Sequence, residues 1–366
     1  MSAEQLAELS DLFVVAAVLL YLVAMIGFAI ELAFGRARPG VAARSAAGPL
    51  AAKKPVTVGA PAVDGAVDRA VDRAGSPVGD AAGDGAPGRD AVTGLPGDHV
   101  DAGGDATAPG GDVAAAALDD GAPQSRTAVR AGTAALVLAW LGWAANLGAI
   151  ATRGLAADRW PWGNMYEFVV AICFAAVTAF LVTQLRTNVR FLGSFVMVTV
   201  ALGLGLAVKA FYTTAGPVVP ALDTYWIAIH VSAAIVASGL FTLAGVSGVL
   251  YLLRGDGLSR LPARADLERV AHRAIVFAFP VWTFAVIAGA LWADRAWGRY
   301  WGWDPKEVWA FITWVAYAAY LHARVTAGWR GRSATIVQLV AFGCLLFNLI
   351  GVNIFFEGLH SYADVD

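Results

Sequence analysis

The chain has 366 residues, of which 58% are hydrophobic and 15% charged, and its mean hydropathy is +0.62. This composition excludes a set of soluble domains and indicates a polytopic membrane protein. The net charge of -2 excludes a strongly basic nucleic-acid binder. Cys173 and Cys344 lie in apolar runs and form neither CxxC nor CxxCH. The chain is therefore not itself a thiol–disulfide oxidoreductase or a c-type haem carrier.

Eight apolar segments are long enough to cross roughly 30 Å of hydrocarbon, which takes about 20 residues of helix. They are residues 11–33, 131–152, 166–185, 191–209, 225–253, 274–293, 308–327 and 333–355. The sequence thus predicts an all-α integral membrane protein with about eight transmembrane helices. Residues 1–33 are expected to be a retained anchor rather than a signal peptide, because the basic n-region of a signal peptide is missing and acidic residues stand there instead.

Residues 34–130 have the composition of a linker. They are rich in Ala, Gly, Asp and Pro and contain no aromatic residue after Phe34. Such a segment cannot bury enough apolar surface to offset the entropy lost on ordering, which predicts disorder. The sequence therefore predicts three parts: the anchor 1–33, a disordered linker 34–130, and a membrane core 131–366.

The distribution of Lys and Arg predicts the orientation. If the 34–130 loop is cytoplasmic, 20 of the 26 basic residues fall on the cytoplasmic side, and the short loops alone give the same answer. Both termini are then extracytoplasmic.

Tryptophan is concentrated on the side predicted to be outer. Eight of the 13 tryptophans lie there, and they are Trp160, Trp162, Trp226, Trp292, Trp297, Trp301, Trp303 and Trp309. An interfacial aromatic belt is the simplest alternative, but a belt should populate both interfaces. The one-sided distribution therefore favours a binding surface.

The densest group is residues 297–309, called the tryptophan loop below. Asp304 and Pro305 have the pattern of an N-cap followed by proline at the first helical position, with Glu307 in the first turn. An aromatic surface rimmed by Arg295, Arg299 and Lys306 suits a large, flat, apolar ligand that carries carboxylates, such as haem.

Histidines are the residues that could hold the iron of such a ligand. His230 and His360 are both predicted on the outer side, although either alone could be an interfacial polar residue. His322 is predicted in the inner half of the seventh span, where a titratable group marks a site or pathway unless it bonds a neighbouring helix or snorkels. His272 is expected to be a solvated interfacial residue.

Several segments together resemble one family. They are WGNMYEF (162–168), LDTYWIAIHV (222–231), WGRYWGWDPKEVWAFITW (297–314), AAYLHAR (318–324), GWRGR (328–332) and GVNIFFEGLHSY (351–362). The third resembles the tryptophan-rich WWD signature of haem-handling proteins. The set, from about 160 to 362, is similar to the CcsA/ResC branch of the System II cytochrome c biogenesis proteins.

The resemblance implies roles for the residues above. His230 and His360 would be the external axial ligands of haem b, held at the WWD loop with its tryptophans and acidic residue, here Trp297, Trp301, Trp303, Asp304 and Trp309. His322 would be one ligand of a second, transmembrane haem, whose opposite ligand comes from a ResB/CcsB-like membrane partner. The implied location is the bacterial plasma membrane, with the WWD loop extracytoplasmic.

The implied function is System II cytochrome c biogenesis. The chain would move haem outward and present it for thioether attachment to the CxxCH of apocytochrome c, as the haem-binding component of a haem lyase. A thioredoxin-like partner would keep the thiols reduced, since this chain has no CxxC. Two alternatives stay open: a haem exporter without attachment activity, and a quinone-linked cytochrome b-type electron-transfer subunit. Against the last, only His322 is predicted deep in the membrane.

Overall fold

The structure, a computed structural model, describes residues 1–35, 125–218, 224–254 and 261–360. Every regular element in these ranges is helical, which confirms the predicted all-α class. The long helices are α1 Ala3–Phe34, α2 Arg126–Ala157, α3 Met165–Arg186, α4 Arg190–Ala210, α5 Tyr225–Leu253, α6 Arg264–Trp297, α7 Pro305–Thr326 and α8 Arg332–Leu346. The last continues through a π-helical turn, Phe347–Gly351, into the short α9, Val352–Phe355.

The helices identify a multi-pass membrane protein. Seven of the described helices are long and apolar enough to cross a membrane, counting Arg332–Phe355 as one. The remaining predicted span, α7, is less apolar because Trp, Tyr, His and Arg occupy several of its positions. The buried positions of α7 are polar or aromatic, and they are Glu307, Thr313, Tyr317 and Tyr320. This helix is therefore suited to contact with other helices rather than with lipid alone.

Several helices extend beyond the predicted spans, and α1 begins at Ala3 rather than at residue 11. Helix α2 begins at Arg126, inside the range 34–130 predicted as linker. Helix α6 extends beyond the predicted 274–293 at both ends. The prediction of a linker over residues 36–124 lies outside the described residues.

Two buried clusters organise the helices. The first joins α1, α2, α3 and α4 with parts of α5 and α6, and it includes Tyr21, Phe28 and Phe180. The second joins α5, α6, α7 and α8 with part of α3, and in it the rings of Phe241 and Tyr317 stack with centroids 3.7 Å apart. Helices α3 and α5 contribute to both clusters and so connect the two halves of the bundle.

One end of the bundle is where α1, α3, α5 and α7 begin and α2, α4 and α6 end. Contacts between distant segments hold this end together: the Tyr212 hydroxyl donates to Asp11 at 2.7 Å, and Lys306 Nζ lies 4.0 Å from Met165 Sδ. It contains the tryptophan loop and is called the tryptophan end.

The opposite end is held by ion pairs of arginine. Arg190 Nη1 lies 3.3 Å from Glu31 Oε1, and Arg324 pairs with Glu268. The Arg264 guanidinium also donates to the carbonyl oxygen of Arg254. This arginine end contains the short loops whose basic residues predict a cytoplasmic side.

Candidate functional site

His230 lies near the beginning of α5, at the tryptophan end, and one of its ring nitrogens makes a hydrogen bond to the backbone of α6. Its Nδ1 is 2.8 Å from the carbonyl oxygen of Ala285 on α6. Because a carbonyl only accepts, Nδ1 carries the proton and Nε2 carries the lone pair. The imidazole can approach α6 this closely because residue 289 is glycine: a Cβ there would lie 2.7 Å from His230 Cε1.

His360 lies in the turn that follows α9, and its Nδ1 is 2.8 Å from Asp304 Oδ2. Asp304 is 7% exposed and caps α7, with Glu307 completing the capping box, so the predicted N-cap is confirmed. The backbone N–H of Leu359 donates to Asp304 Oδ1 at 2.7 Å. One carboxylate therefore fastens the C-terminal turn to the beginning of α7.

The charge state of Asp304 follows from these contacts. Burial raises the pKa of its carboxyl, but hydrogen bonds from the His360 side chain and from the backbone N–H groups of Leu359 and Lys306 bring it below the ordinary value of 3.8. The ionised carboxylate accepts the Nδ1–H of His360. In the neutral form of His360, as in His230, this hydrogen bond leaves the lone pair on Nε2.

Trp292 connects the two histidines. Its indole is 1% exposed, stacks nearly parallel to His230 at 6.1 Å between centroids, and meets His360 edge-on at 5.7 Å. Trp297 packs against both Trp292 and His360, at 4.7 and 4.9 Å. Sequence reasoning placed Trp292 on the outer side but did not name it as a site residue. Its only sequence signal is its position at the end of a span that leads into the tryptophan loop.

The other predicted tryptophans have different neighbours. Trp301 and Trp303 contact each other, with centroids 5.8 Å apart, and the Trp303 side chain is largely exposed. Trp309 packs at 4.2 Å on Phe347 in the π-helical turn, so it supports the junction of α7 and α8. The structure thus brings Trp297 and Asp304 to the histidines, whereas Trp309 contacts a phenylalanine of the helix junction.

His322 lies far along α7, toward the arginine end. Its side chain is exposed on the bundle surface, and its Nδ1 is 3.4 Å from the hydroxyl of Thr326, one turn along the same helix. His272 is half-buried, with its Nδ1 3.3 Å from the Tyr320 hydroxyl, so it differs from the expected solvated residue. Tyr320 is buried and His322 is exposed, so the two positions lie on different faces of α7.

A buried ion cluster stabilises the tryptophan end beside these histidines. Glu167, in the first turn of α3, lies 3.1 Å from Arg153 Nε and 2.8 Å from Arg159 Nη1. The side chains of Arg153 and Glu167 are at most 3% exposed. Both arginines also donate to backbone carbonyls after α4, those of Thr213 and Gly216. The cluster therefore joins three segments of the tryptophan end.

The donors around His360 fit haem as a ligand. A small, open recess is lined by Asp304, Lys306, Asn353, Phe356, Gly358 and His360. It is smaller than the usual pocket for a ligand, so a molecule of haem's size would extend beyond it. Two imidazoles with fixed Nδ1–H groups, adjoining indoles and an ammonium group are suited to an iron macrocycle that carries carboxylates.

The fold and the site together define a class of protein: a helical membrane protein in which two histidines lie beside a tryptophan-rich loop. The family model described as "Cytochrome C assembly protein" matches residues 162–360, a range that includes His230, the tryptophan loop and His360. The chain belongs to this family of cytochrome c assembly proteins.

Curated relatives agree with this assignment. The chain is 33% identical over 288 residues to the "Cytochrome c biogenesis protein CcsA" of Synechococcus elongatus, covering 63% of this chain and 87% of the relative. It is 29% identical over 278 residues to the protein of that name from Gloeobacter violaceus, covering 59% and 82%. For that of Chlamydomonas reinhardtii, the identity is 33% over 218 residues, covering 56% and 61%. The chain therefore has a role in cytochrome c assembly.

Proposed function

We propose that this chain binds haem b between His230 and His360 and presents it for covalent attachment to the CxxCH motif of apocytochrome c. The observation that supports the proposal is that both imidazoles bind a protein oxygen through the same ring nitrogen, Nδ1. Each donates Nδ1–H to an oxygen of the protein, Ala285 O or Asp304 Oδ2, which makes Nε2 the nitrogen that would bind iron.

In this mechanism the protein acts mainly by holding haem in a fixed position. The hydrogen bonds fix the imidazole orientations, and Trp292 and Trp297 supply apolar surface next to both rings. Lys306, which lines the recess with His360, supplies a positive charge for a propionate. The haem vinyl groups react with reduced cysteine thiols, and holding the reactants together raises their effective concentration.

The same proposal assigns sides and partners. The tryptophan end faces the extracytoplasmic side of a bacterial plasma membrane, in keeping with the basic residues at the other end. Haem enters from the cytoplasmic side near His322. An exposed histidine within a membrane span is costly unless it is covered. A ResB/CcsB-like membrane partner covers His322 and supplies the opposite ligand, and a thioredoxin-like protein keeps the apocytochrome thiols reduced.

Spectroscopy of substituted proteins tests the ligand pair. The complex purified with its partner should show six-coordinate low-spin haem, and His230→Ala or His360→Ala should lose haem at the tryptophan end, with partial recovery in added imidazole. His272→Ala is the matched control, because it removes a half-buried imidazole bonded to Tyr320. Full haem content and normal cytochrome c maturation in both ligand variants would overturn the assignment.

Reconstitution separates attachment from export. With reduced apocytochrome c, a haem lyase component yields haem that resists acid–acetone extraction. An exporter yields only extractable haem on the outer side, and that result would replace the proposed activity with transport.

A further inference from the structure

The backbone of Trp303 has an unusual conformation. Its φ is +59°, in the left-handed region that large side chains rarely adopt, and Asp158 is the only other non-glycine residue with positive φ in the described part of the chain. The Trp303 indole is 67% exposed. A bulky residue held this way, with its side chain directed outward, requires an interaction that keeps it there.

Glu307 supplies this interaction. Its Oε2 atom accepts the backbone N–H of Gly302 at 2.8 Å and that of Asp304 at 3.0 Å, the N–H groups of the residues before and after Trp303. Neighbouring N–H groups that converge on one anion form a nest, and a left-handed residue is part of that geometry. Glu307 is 8% exposed, so water competes little for these hydrogen bonds.

The nest also fixes the residue that follows Trp303. Asp304 donates its backbone N–H to Glu307, while its own carboxylate accepts from His360 and from the backbone of Leu359. A change in the Trp303 backbone would turn Asp304 away from His360. The strained tryptophan and the orientation of the histidine are thus coupled through one carboxylate.

We propose that Glu307 is a positioning residue for haem: its carboxylate, seated in the 302–304 nest, holds Trp303 outward and Asp304 against His360. The inference rests on the proposed function in assigning haem to His360, but the nest itself is a property of the protein alone. Glu307 acts through the backbone N–H groups of residues 302 and 304.

Haemin titration of the full chain in detergent tests the consequence for binding. Glu307→Ala should weaken binding at the tryptophan end by about tenfold, the lower range for loss of an outer-shell partner. Glu307→Gln should recover most of the affinity, because an amide oxygen can accept both N–H groups. Glu357→Ala, an exposed glutamate in the same C-terminal segment, is the matched control and should bind as wild type. Equal loss in the Ala and Gln variants would contradict the positioning role.

A second background tests the coupling to Trp303. Asparagine tolerates the left-handed region better than tryptophan, so Trp303→Asn should make the nest less dependent on Glu307. Glu307→Ala introduced into Trp303→Asn should then weaken haemin binding less than it does in wild type. An equal fold-change in both backgrounds would overturn the coupling, and it would do so even if the alanine variant were less stable overall.

A haem-free measurement separates this inference from the proposed function. In protein labelled with 5-fluorotryptophan, the Trp303 fluorine resonance, assigned with Trp303→Phe, should shift or broaden in Glu307→Ala and remain near its wild-type position in Glu307→Gln. If the resonance shifts in Glu307→Ala as expected while His360→Ala retains haem, the assignment of His360 as a haem ligand is wrong but the role of Glu307 in holding Trp303 is supported. If the resonance is unchanged in Glu307→Ala, the nest proposal fails whatever the haem result.

Discussion

His360 and His322 differ in how much of their surroundings this chain supplies. His360 has Nδ1 bound to a buried carboxylate and its ring packed on two indoles. His322 is exposed, and its Nδ1 is 3.4 Å from a hydroxyl of its own helix. A histidine at a metal site usually has its second nitrogen fixed by a protein group. The tryptophan end is therefore built by this chain, whereas the surroundings of His322 depend on what covers α7.

The two ends also differ in their ion pairs, which gives the largest expected effect. Glu167→Ala would leave Arg153 buried without its carboxylate, and removal of one partner from a buried pair costs about 3–5 kcal/mol. Glu31→Ala breaks the pair with Arg190 at the arginine end, whose side chains are 22% and 21% exposed, and should cost less, about 1 kcal/mol. Reversible unfolding in mixed micelles measures both. Similar losses for the two variants would contradict the difference in burial.

Displacing His230 should have the next largest effect. In Gly289→Ala, the added methyl group would overlap the imidazole, which must leave the Ala285 carbonyl. Because a misplacement of 1 Å can cost roughly 100-fold in rate, cytochrome c maturation should fall by about that factor. Gly343→Ala on α8 is the control, since a Cβ there meets no atom within 4 Å. Normal maturation in Gly289→Ala would show that the close approach to α6 is not required.

Asp304→Asn should have an intermediate effect that depends on pH. It should weaken haemin binding by about tenfold, because the amide supports the His360 imidazole less well than a carboxylate. The depressed pKa of Asp304 stabilises the fold above the ordinary value of 3.8, and this contribution disappears as pH falls through the lower value in the folded protein. The difference in unfolding free energy between wild type and Asp304→Asn should therefore be constant near neutral pH and shrink below about 3.8.

His322→Ala should have the smallest effect on the tryptophan end. Titrated with haemin in the absence of a partner, this variant should match wild type within error, because His322 lies toward the opposite end of α7. A loss as large as that of His360→Ala would mean that the two ends share one site, and the comparison between them would fail.

Much of the fold could be predicted because its signals are local. Apolar runs of sufficient length indicated the helices, and the order Asp304, Pro305, Glu307 predicted the beginning of α7, which the capping box confirms. The segment of α7 was predicted as a membrane span. It is helical, but its mean hydropathy is below that expected of a membrane span. Its buried polar and aromatic positions are explained only by contacts with other helices.

The details of the site depend on contacts that sequence spacing does not reveal. Gly289 has meaning only because His230 of another helix packs against it. In the sequence, nothing distinguishes Trp292 from the other tryptophans of the outer side; only the fold shows that it contacts both histidines. Glu307 was expected in the first turn of α7, but its second role in the 302–304 nest requires the left-handed backbone of Trp303.

The π-helical turn at Phe347–Gly351 determines how the following residues, including those that lead to His360, are rotated about the helix axis. Such a turn is equivalent to one residue inserted into an α-helix, and one residue corresponds to roughly 100° of rotation. Without it, the segment that carries His360 would leave α8 in another direction and the imidazole would point away from Asp304. The chain length between α8 and His360 is thus a structural parameter of the site, and a single-residue deletion there would be more damaging than most substitutions.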